Sequence, residues 1–300
     1  LIILAVTGVL RGLQDTRTPL LASVLGFSAN VVLNVFFVYG LHWGIAGAAW
    51  GTVIAQTGMG VALVIVLLRM AGRLGSSLRA HPGRILAAAR TGTPLLVRTL
   101  ALRSTLLLTT WVAVSFGDVT LAAHQVALTI WSFLAFALDA LAIAAQAIVG
   151  KALGAGDRDV VRALTRTMVR WGVWGGLLIG LLVVALHSVL PPLFTGDPAV
   201  RATLGVALIV VGLGQAISGY VFVLDGVLIG AGDGRWLAWG YVVALLTYLP
   251  IILAVRSLGP SGSPSRDVAI LWVAFTALMA IRALVLGWRA RQDTWMVIGA

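Results

Sequence analysis

Residues 120–152 read TLAAHQVALTIWSFLAFALDALAIAAQAIVGKA, and this stretch decides the fold. Asp139 is its only charged side chain before Lys151. A helix that spans a bilayer needs about 20 consecutive apolar residues, whereas a barrel strand alternates polar and apolar residues over about ten positions. The run shows no such alternation, so we predict a membrane-spanning helix over 120–152.

The rest of the chain has the same character. Hydrophobic residues make up 60% of its 300 residues and charged residues 10%, against roughly 25% charged in soluble domains. The mean hydropathy is +1.04. Residues 1–10 look like the end of an earlier helix. The predicted fold class is an all-α polytopic membrane protein with about eight full spans, at residues 17–40, 44–70, 93–116, 120–152, 162–190, 199–230, 235–257 and 266–289.

The residue inventory removes several classes of chemistry. All ten acids are Asp, and Cys is absent, so sites built on a catalytic Glu, a thiolate or a disulfide are excluded. The four His are far apart and lack metal-ligand spacing. Gly150-Lys151 resembles the end of a P-loop, but Ala152 follows it. We therefore expect no metal, no ATP site and no cofactor beyond a coupling ion, H⁺ or Na⁺.

The basic residues fix the orientation. Sixteen of the 21 Lys and Arg fall on one side of the predicted spans, three fall on the other, and Arg98 and Arg103 lie within a span. Cytoplasmic loops carry the excess of positive charge, so the larger group, including Arg282 and the segment 71–92, is placed in the cytoplasm. This distribution explains a basic pI without nucleic acid, and it is typical of a multi-pass membrane protein.

A repeat divides the chain. GVLRGLQDTR at 8–17 returns as GVLIGAGDGR at 226–235, with six of ten positions identical. Gly12 and Asp15 match Gly230 and Asp233, in turns expected on one membrane face. Four spans precede the second copy and seven residues the first, so we expect about three and a half more helices before Leu1 and two six-helix lobes in all.

Four polar residues of 120–152 recur every seven residues and share one helical face: Gln125, Ser132, Asp139 and Gln146. An acid at a helix centre costs about 2.5–3.5 kcal/mol. Asp139 therefore indicates a proton or cation site lining a cavity, or else a structural ion pair. Arg103 is the expected partner, whereas Arg98 is close enough to the cytoplasmic end to extend to water.

Two further groups of polar residues lie within spans. Asp225, with Gln215 on a nearby face, indicates a coupling or substrate role, or packing beside the Gly230 turn. Asn30 and Asn34 are spaced four apart, and they either line a cavity or bond between helices. Asp139 and Asp225 are both expected to point into the bundle formed by 93–289.

These motifs resemble the multidrug and toxic compound extrusion (MATE) family, in its DNA-damage-inducible branch. GVLRGLQDTRTPL at 8–20 and GIAGAAWGT at 44–52 are similar to the end of its helix four and to its helix six. DALAIAAQAIVGKALGAGD at 139–157 is similar to helix eight, and DGVLIGAGD at 225–233 to helix ten and its turn.

The resemblance implies a V-shaped cavity between two lobes with alternating access. Residues 1–70 would then end the N-lobe, 71–92 form a basic cytoplasmic linker, and 93–300 form the C-lobe. A helix-ten Asp of the family belongs to a cation site, here matched by Asp225. The Glu that usually partners it has no counterpart in this chain, and the helix-one acid of H⁺-coupled members would precede Leu1.

The function expected from the sequence is secondary export of drugs or amphipathic metabolites, including organic cations, in exchange for H⁺ or Na⁺. The protein would act as a monomer in the lipid bilayer of a bacterial plasma membrane and would not be an enzyme. One alternative is a flippase of the same superfamily that moves lipid-linked or polysaccharide precursors. A membrane-embedded transferase would need clustered acids on a cytoplasmic loop, and only Asp157 and Asp159 approach that arrangement.

Overall fold

The computed structural model describes residues 2–13, 15–73, 75 and 82–298. The described residues are 87% helical and contain no strand. The helices are α1 (Ile2–Gly12), α2 (Arg17–Val35, followed by a π-helical turn at Phe36–Gly40), α3 (Gly44–Arg73), α4 (Pro82–Val114), α5 (Asp118–Gly154), α6 (Arg158–Ala185), α7 (Pro191–Phe194), α8 (Pro198–Leu213), α9 (Gln215–Gly230), α10 (Gly234–Ser257) and α11 (Pro264–Ala290). The predicted all-α polytopic fold class is confirmed.

One predicted span is wrong as a continuous helix. Residues 199–230 form two helices, α8 and α9, that meet at Gly214 with a bend of 51°. The described residues therefore contain seven helices long and apolar enough to cross a membrane, or eight if the bent pair counts as one span. Glycine is a common residue at sharp kinks, because without a side chain it allows the helix axis to change direction.

The chain divides into two compact units at Pro82–Gly83. This boundary falls inside the predicted linker 71–92, but most of that segment is helical, because α3 runs to Arg73 and α4 begins at Pro82. Residues 74 and 76–81 lie outside the described part of the chain. The assignment of the two units to the two lobes stays a prediction.

The first unit consists of α1, α2 and α3. Val6, Leu10 and Leu63 form its buried core. The ring of Phe37 stacks on Trp43 at 5.3 Å between centroids, across the turn that joins α2 to α3. The unit is thus closed by apolar contacts at its centre and by an aromatic pair at its end.

The second unit is built around α9, which lies against α5 and α6 with almost no side chain between the backbones. A Cβ added to Gly176 of α6 would lie 2.3 Å from the carbonyl oxygen of Gln215. One added to Gly226 of α9 would lie 2.2 Å from that of Ala142. Glycine is needed at both positions because no Cβ fits at these distances. The helix that carries Asp225 is therefore held rigidly.

The two copies of the repeat form the same turn. The amide of Asp15 donates to the carbonyl of Leu10 at 2.9 Å, and the amide of Asp233 donates to that of Leu228 at 3.0 Å. These four residues are pairwise 218 positions apart, as the sequence repeat requires. Gly12 ends α1 and Gly230 ends α9. The two copies are therefore similar in structure as well as in sequence.

Candidate functional site

Asp225 lies at the centre of a buried ionic cluster. The Nε of Arg98 donates to its Oδ1 at 3.2 Å, and the Nη2 of Arg98 donates to its Oδ2. The Tyr241 hydroxyl donates to Oδ2 at 2.8 Å, and the Nη2 of Arg282 lies 4.0 Å from the same oxygen. We call Arg98, Asp225, Tyr241 and Arg282 the Asp225 cluster. It joins α4, α9, α10 and α11 through one carboxylate.

Tyr241 organises the two cations of the cluster. The central carbon of each guanidinium, of Arg98 and of Arg282, lies 4.7 Å from the centroid of the Tyr241 ring. The Nη2 of Arg282 also donates to the Tyr241 hydroxyl oxygen. A ring face attracts cations in this position. The hydroxyl links Arg282 to Asp225 by accepting from one and donating to the other.

Two of the predicted ionic arrangements are wrong. Arg98 does not extend to water from the end of its helix, because its side chain is 18% exposed and its guanidinium forks onto Asp225. Arg103 does not pair with Asp139; both side chains are exposed, and no ion pair within 4.0 Å joins either to another described residue. Arg98 pairs with the buried acid because its side chain extends from α4 toward Asp225 on α9.

The polar stripe of α5 lies on the outside of the second unit. Gln125, Asp139 and Gln146 are exposed, and Ser132 is half-buried. The prediction that Asp139 points into the bundle is therefore wrong, while Asp225, 5% exposed, does so. The reason is packing. The packed side of α5 includes Ala142 and Ala145, and α9 approaches the α5 backbone so closely there that a Cβ added to Gly226 would lie 2.2 Å from the carbonyl oxygen of Ala142.

Gln215 is buried at the bend between α8 and α9. Its side chain is 1% exposed, and neither its Oε1 nor its Nε2 has a hydrogen-bond partner among the described residues. It begins α9 ten residues before Asp225 and does not contact the ionic cluster directly through a hydrogen bond in the described structure. The structure thus brings Gln215 into the same core without joining it to the acid.

Asn30 bonds to the neighbouring helix, and Asn34 bonds to Asn30 within α2. The Nδ2 of Asn34 donates to the Oδ1 of Asn30 at 3.1 Å, and the Nδ2 of Asn30 donates to the Oγ1 of Thr52 on α3 at 3.1 Å. Both Asn side chains are half-buried. Of the two alternatives left open by the sequence, the contacts favour interhelical hydrogen bonding over lining a cavity.

The sequence did not reveal two members of the cluster. Tyr241 was not singled out, and Arg282 was counted with the cytoplasmic loop charges, which is wrong because it is 3% exposed within α11. One signal was available. Arg282 interrupts the long apolar run of the last helix eight residues before its end, where an unpaired charge would be costly.

As a site for a metal ion, the cluster is poorly suited. It offers one carboxylate to two guanidiniums, and the described residues contain no group of three His, Cys, Asp or Glu placed to hold a metal. A free cation would have to displace Arg98 and approach Arg282. What the cluster can do chemically is hold Asp225 ionised and tie four helices to one charge.

The helices and the buried ionic site define a polytopic membrane protein. A sequence profile described as MatE matches residues 94–254, and the chain belongs to this family of MATE transporters. It is 32% identical over 286 residues to Protein DETOXIFICATION 43 of Arabidopsis thaliana, covering 95% of this chain and 52% of that protein. It is 29% identical over 303 residues to DNA damage-inducible protein F of Escherichia coli, covering 97% and 64%.

Solved structures share the fold. A crystal structure of a mutant of the Vibrio cholerae MATE transporter VcmN superposes with a TM-score of 0.83, at 21% identity, over 98% of this chain and 67% of that one. The chain spans about half the length of the curated plant relatives that it matches.

Proposed function

We propose that the protein exports amphipathic small molecules, organic cations among them, in exchange for a proton. The observation that carries this proposal is the polar stripe of α5 on an exposed face of an otherwise apolar span. The relatives named for detoxification support the substrate class. We further propose that it works as a monomer, without a cofactor, in a bacterial plasma membrane.

The length of the stripe supports a pathway across the membrane. Gln125 and Gln146 are 21 residues apart, which is about 32 Å along a helix axis at 1.5 Å per residue. The hydrocarbon core of a bilayer is about 30 Å thick. A face that keeps exposed polar groups over this whole depth is poorly placed against lipid, since each acid there costs about 2.5–3.5 kcal/mol. Water or a polar substrate is the better neighbour.

The surroundings of the two acids favour Asp139 as the coupling group. A coupling carboxylate must exchange its proton with a pathway and must bias two access states differently. Asp139 is exposed on the stripe, whereas Asp225 is buried and held by Arg98. Sodium at Asp225 would meet two guanidiniums, so the charges of the cluster disfavour a Na⁺ site there.

The test uses inside-out membrane vesicles from an efflux-deficient bacterium that expresses the complete gene. Ethidium, an amphipathic cation, is added under an imposed proton gradient, and its uptake and the proton release are followed together. Asp139→Asn keeps the shape of the side chain but removes the titratable proton, so proton-linked uptake should fall at least about tenfold. Asp159→Asn is the matched control, because that side chain is 92% exposed at the start of α6.

Each other outcome overturns a part of the proposal. Undiminished exchange in Asp139→Asn, with loss in Asp225→Asn, would move the coupling site to the cluster. Uptake driven by a Na⁺ gradient alone would refute the coupling ion. Wild-type vesicles that move no amphipathic compound under either gradient would refute export, and movement of lipid-linked precursors instead would favour the flippase.

A further inference from the structure

The Asp225 cluster contains more positive than negative charge. It holds two guanidiniums, of Arg98 and Arg282, and one carboxylate. Arginine does not lose its proton in proteins, and the Tyr241 hydroxyl uses its proton in the hydrogen bond to Asp225. The cluster therefore has a net charge of about +1 by this count. The side chains of Arg282 and Asp225 are only 4% and 7% exposed, so water does little to stabilise that charge.

Arg282 also has donors without adequate acceptors. Its Nη2 donates to the Tyr241 hydroxyl, and its Nη1 donates to the sulfur of Met279 at 3.3 Å, which is a weak acceptor. Its Nε has no partner among the described residues. A buried charged donor that is left unpaired is costly. The charge count and the hydrogen-bond count thus point independently to the same missing group, an anionic acceptor beside Arg282.

The other carboxylates of the second unit do not supply it. Asp233 pairs with the Nε of Arg289 at 2.7 Å, Asp267 accepts from the amide of Ser261 at 3.0 Å, and Asp139 is exposed. Among the described residues, Asp225 is the one carboxylate within 4.0 Å of Arg282. Compensation of the excess positive charge therefore requires a second anion.

We propose that the Asp225 cluster binds a monovalent inorganic anion of the size of chloride, held by the Arg282 guanidinium. The anion brings the net charge of the cluster to zero and accepts from the unpaired Nε. Arg282 lies eight residues before the end of α11, and Asp225 five before the end of α9, which is about 8–12 Å along the helix axes from the cytoplasmic side. Cytoplasmic chloride is thus the source. This site is independent of any coupling role of Asp139.

The test measures the thermal unfolding of the protein, expressed from the complete gene and purified in an uncharged detergent. Sodium chloride replaces sodium gluconate at constant ionic strength. Chloride should stabilise the fold and saturate, and at ten times Kd the folded-to-unfolded ratio should rise about elevenfold. Arg282→Gln should abolish this dependence. Arg166→Gln, which removes an exposed cytoplasmic guanidinium, should leave it unchanged.

Arg98→Gln provides a second test in case the Arg282→Gln variant is too unstable to measure. It lowers the net charge of the cluster to zero and leaves Arg282 beside Asp225, so the chloride affinity should fall severalfold. Broadening of the chloride resonance by wild-type protein, reversed by bromide, measures the binding directly. Equal unfolding temperatures in chloride and gluconate would overturn the proposal. A chloride effect that persists in Arg282→Gln would overturn the site.

Discussion

Neutralising the acid of the Asp225 cluster should destabilise the protein more than neutralising its nearest base. Asp225→Asn removes the one carboxylate of the cluster and leaves two guanidiniums beside the Tyr241 ring, of which that of Arg282 is buried. Arg98→Gln removes a cation from a cluster that has one in excess. Asp225 then keeps the hydrogen bond from Tyr241 at 2.8 Å and its neighbour Arg282 at 4.0 Å.

The magnitudes follow from what each variant leaves unpaired. Removing one partner of a buried ion pair so that a charge is left alone costs about 3–5 kcal/mol, and this applies to Asp225→Asn. Arg98→Gln loses hydrogen bonds to a charged group, about 1.5–3 kcal/mol, while the remaining Arg282 limits the loss. The Arg98 side chain is also 18% exposed, which lowers its contribution further. We therefore expect Asp225→Asn to lower the free energy of unfolding by about 1–2 kcal/mol more than Arg98→Gln does.

The assay is reversible unfolding in mixed micelles with a rising fraction of sodium dodecyl sulfate, in one gluconate buffer for all variants. Asp159→Asn, an exposed acid, should change the free energy of unfolding little. Arg98→Gln combined with Asp225→Asn should recover part of the loss of Asp225→Asn alone, because it removes one uncompensated cation. Equal losses in the two single variants, or a larger loss in Arg98→Gln, would refute the charge argument.

Three further outcomes concern packing and local bonding. Gly176→Ala should lower the free energy of unfolding by about 1–3 kcal/mol, because its Cβ would meet a backbone oxygen of α9 at 2.3 Å, whereas Gly175→Ala meets only a leucine methyl at 3.6 Å and should be tolerated in the same micelle assay. Thr52→Val removes the acceptor on α3 and should lower the free energy of unfolding by about 0.6 kcal/mol, and by less than about 1.7 kcal/mol. A larger loss would indicate a role for Thr52 beyond one hydrogen bond. Hydrogen bonds from the side chain and backbone of Thr18 hold the pKa of Asp15 below its usual 3.8, so the stability that they contribute is present above that pH and is lost as the pH falls through the lowered pKa. The free energy of unfolding should fall less steeply at acid pH in Asp15→Ala than in the wild type. Identical pH curves for the two proteins would contradict this prediction.

The helices were predictable because their apolar runs have membrane length. α2 begins at residue 17, as expected, and α10 and α11 each lie within two residues of the predicted bounds at both ends. The break at Gly214 was not predictable, since an isolated Gly is common inside transmembrane helices. The close packing of α9 against α5 and α6 was equally hidden, because it depends on glycine contacts between residues far apart in the chain.

The ion pairs were less predictable than the helices. The polar stripe of α5 was read correctly as one face, but its direction depends on which face packs. The neighbours in sequence, α4 and α5, suggested a pair between Arg103 and Asp139. The packing of α9 against α5 at Ala142 decides against this pair, because it leaves the polar stripe of α5 on the outside of the second unit. Polar residues at seven-residue spacing thus identify one face of a helix but do not show what covers that face.

The two intramembrane acids of the second unit therefore have opposite physical characters. Asp225 is held in place, because Gly226 beside it packs directly against the backbone of α5 and because Tyr241 and two arginines surround its carboxylate. Asp139 is exposed and has no ion-pair partner among the described residues. A group that couples ion movement to transport has to meet its ion and then change its surroundings. Asp139 meets the first condition as it stands, whereas Asp225 meets it only if Arg98 leaves, which links any proton at Asp225 to movement of α4.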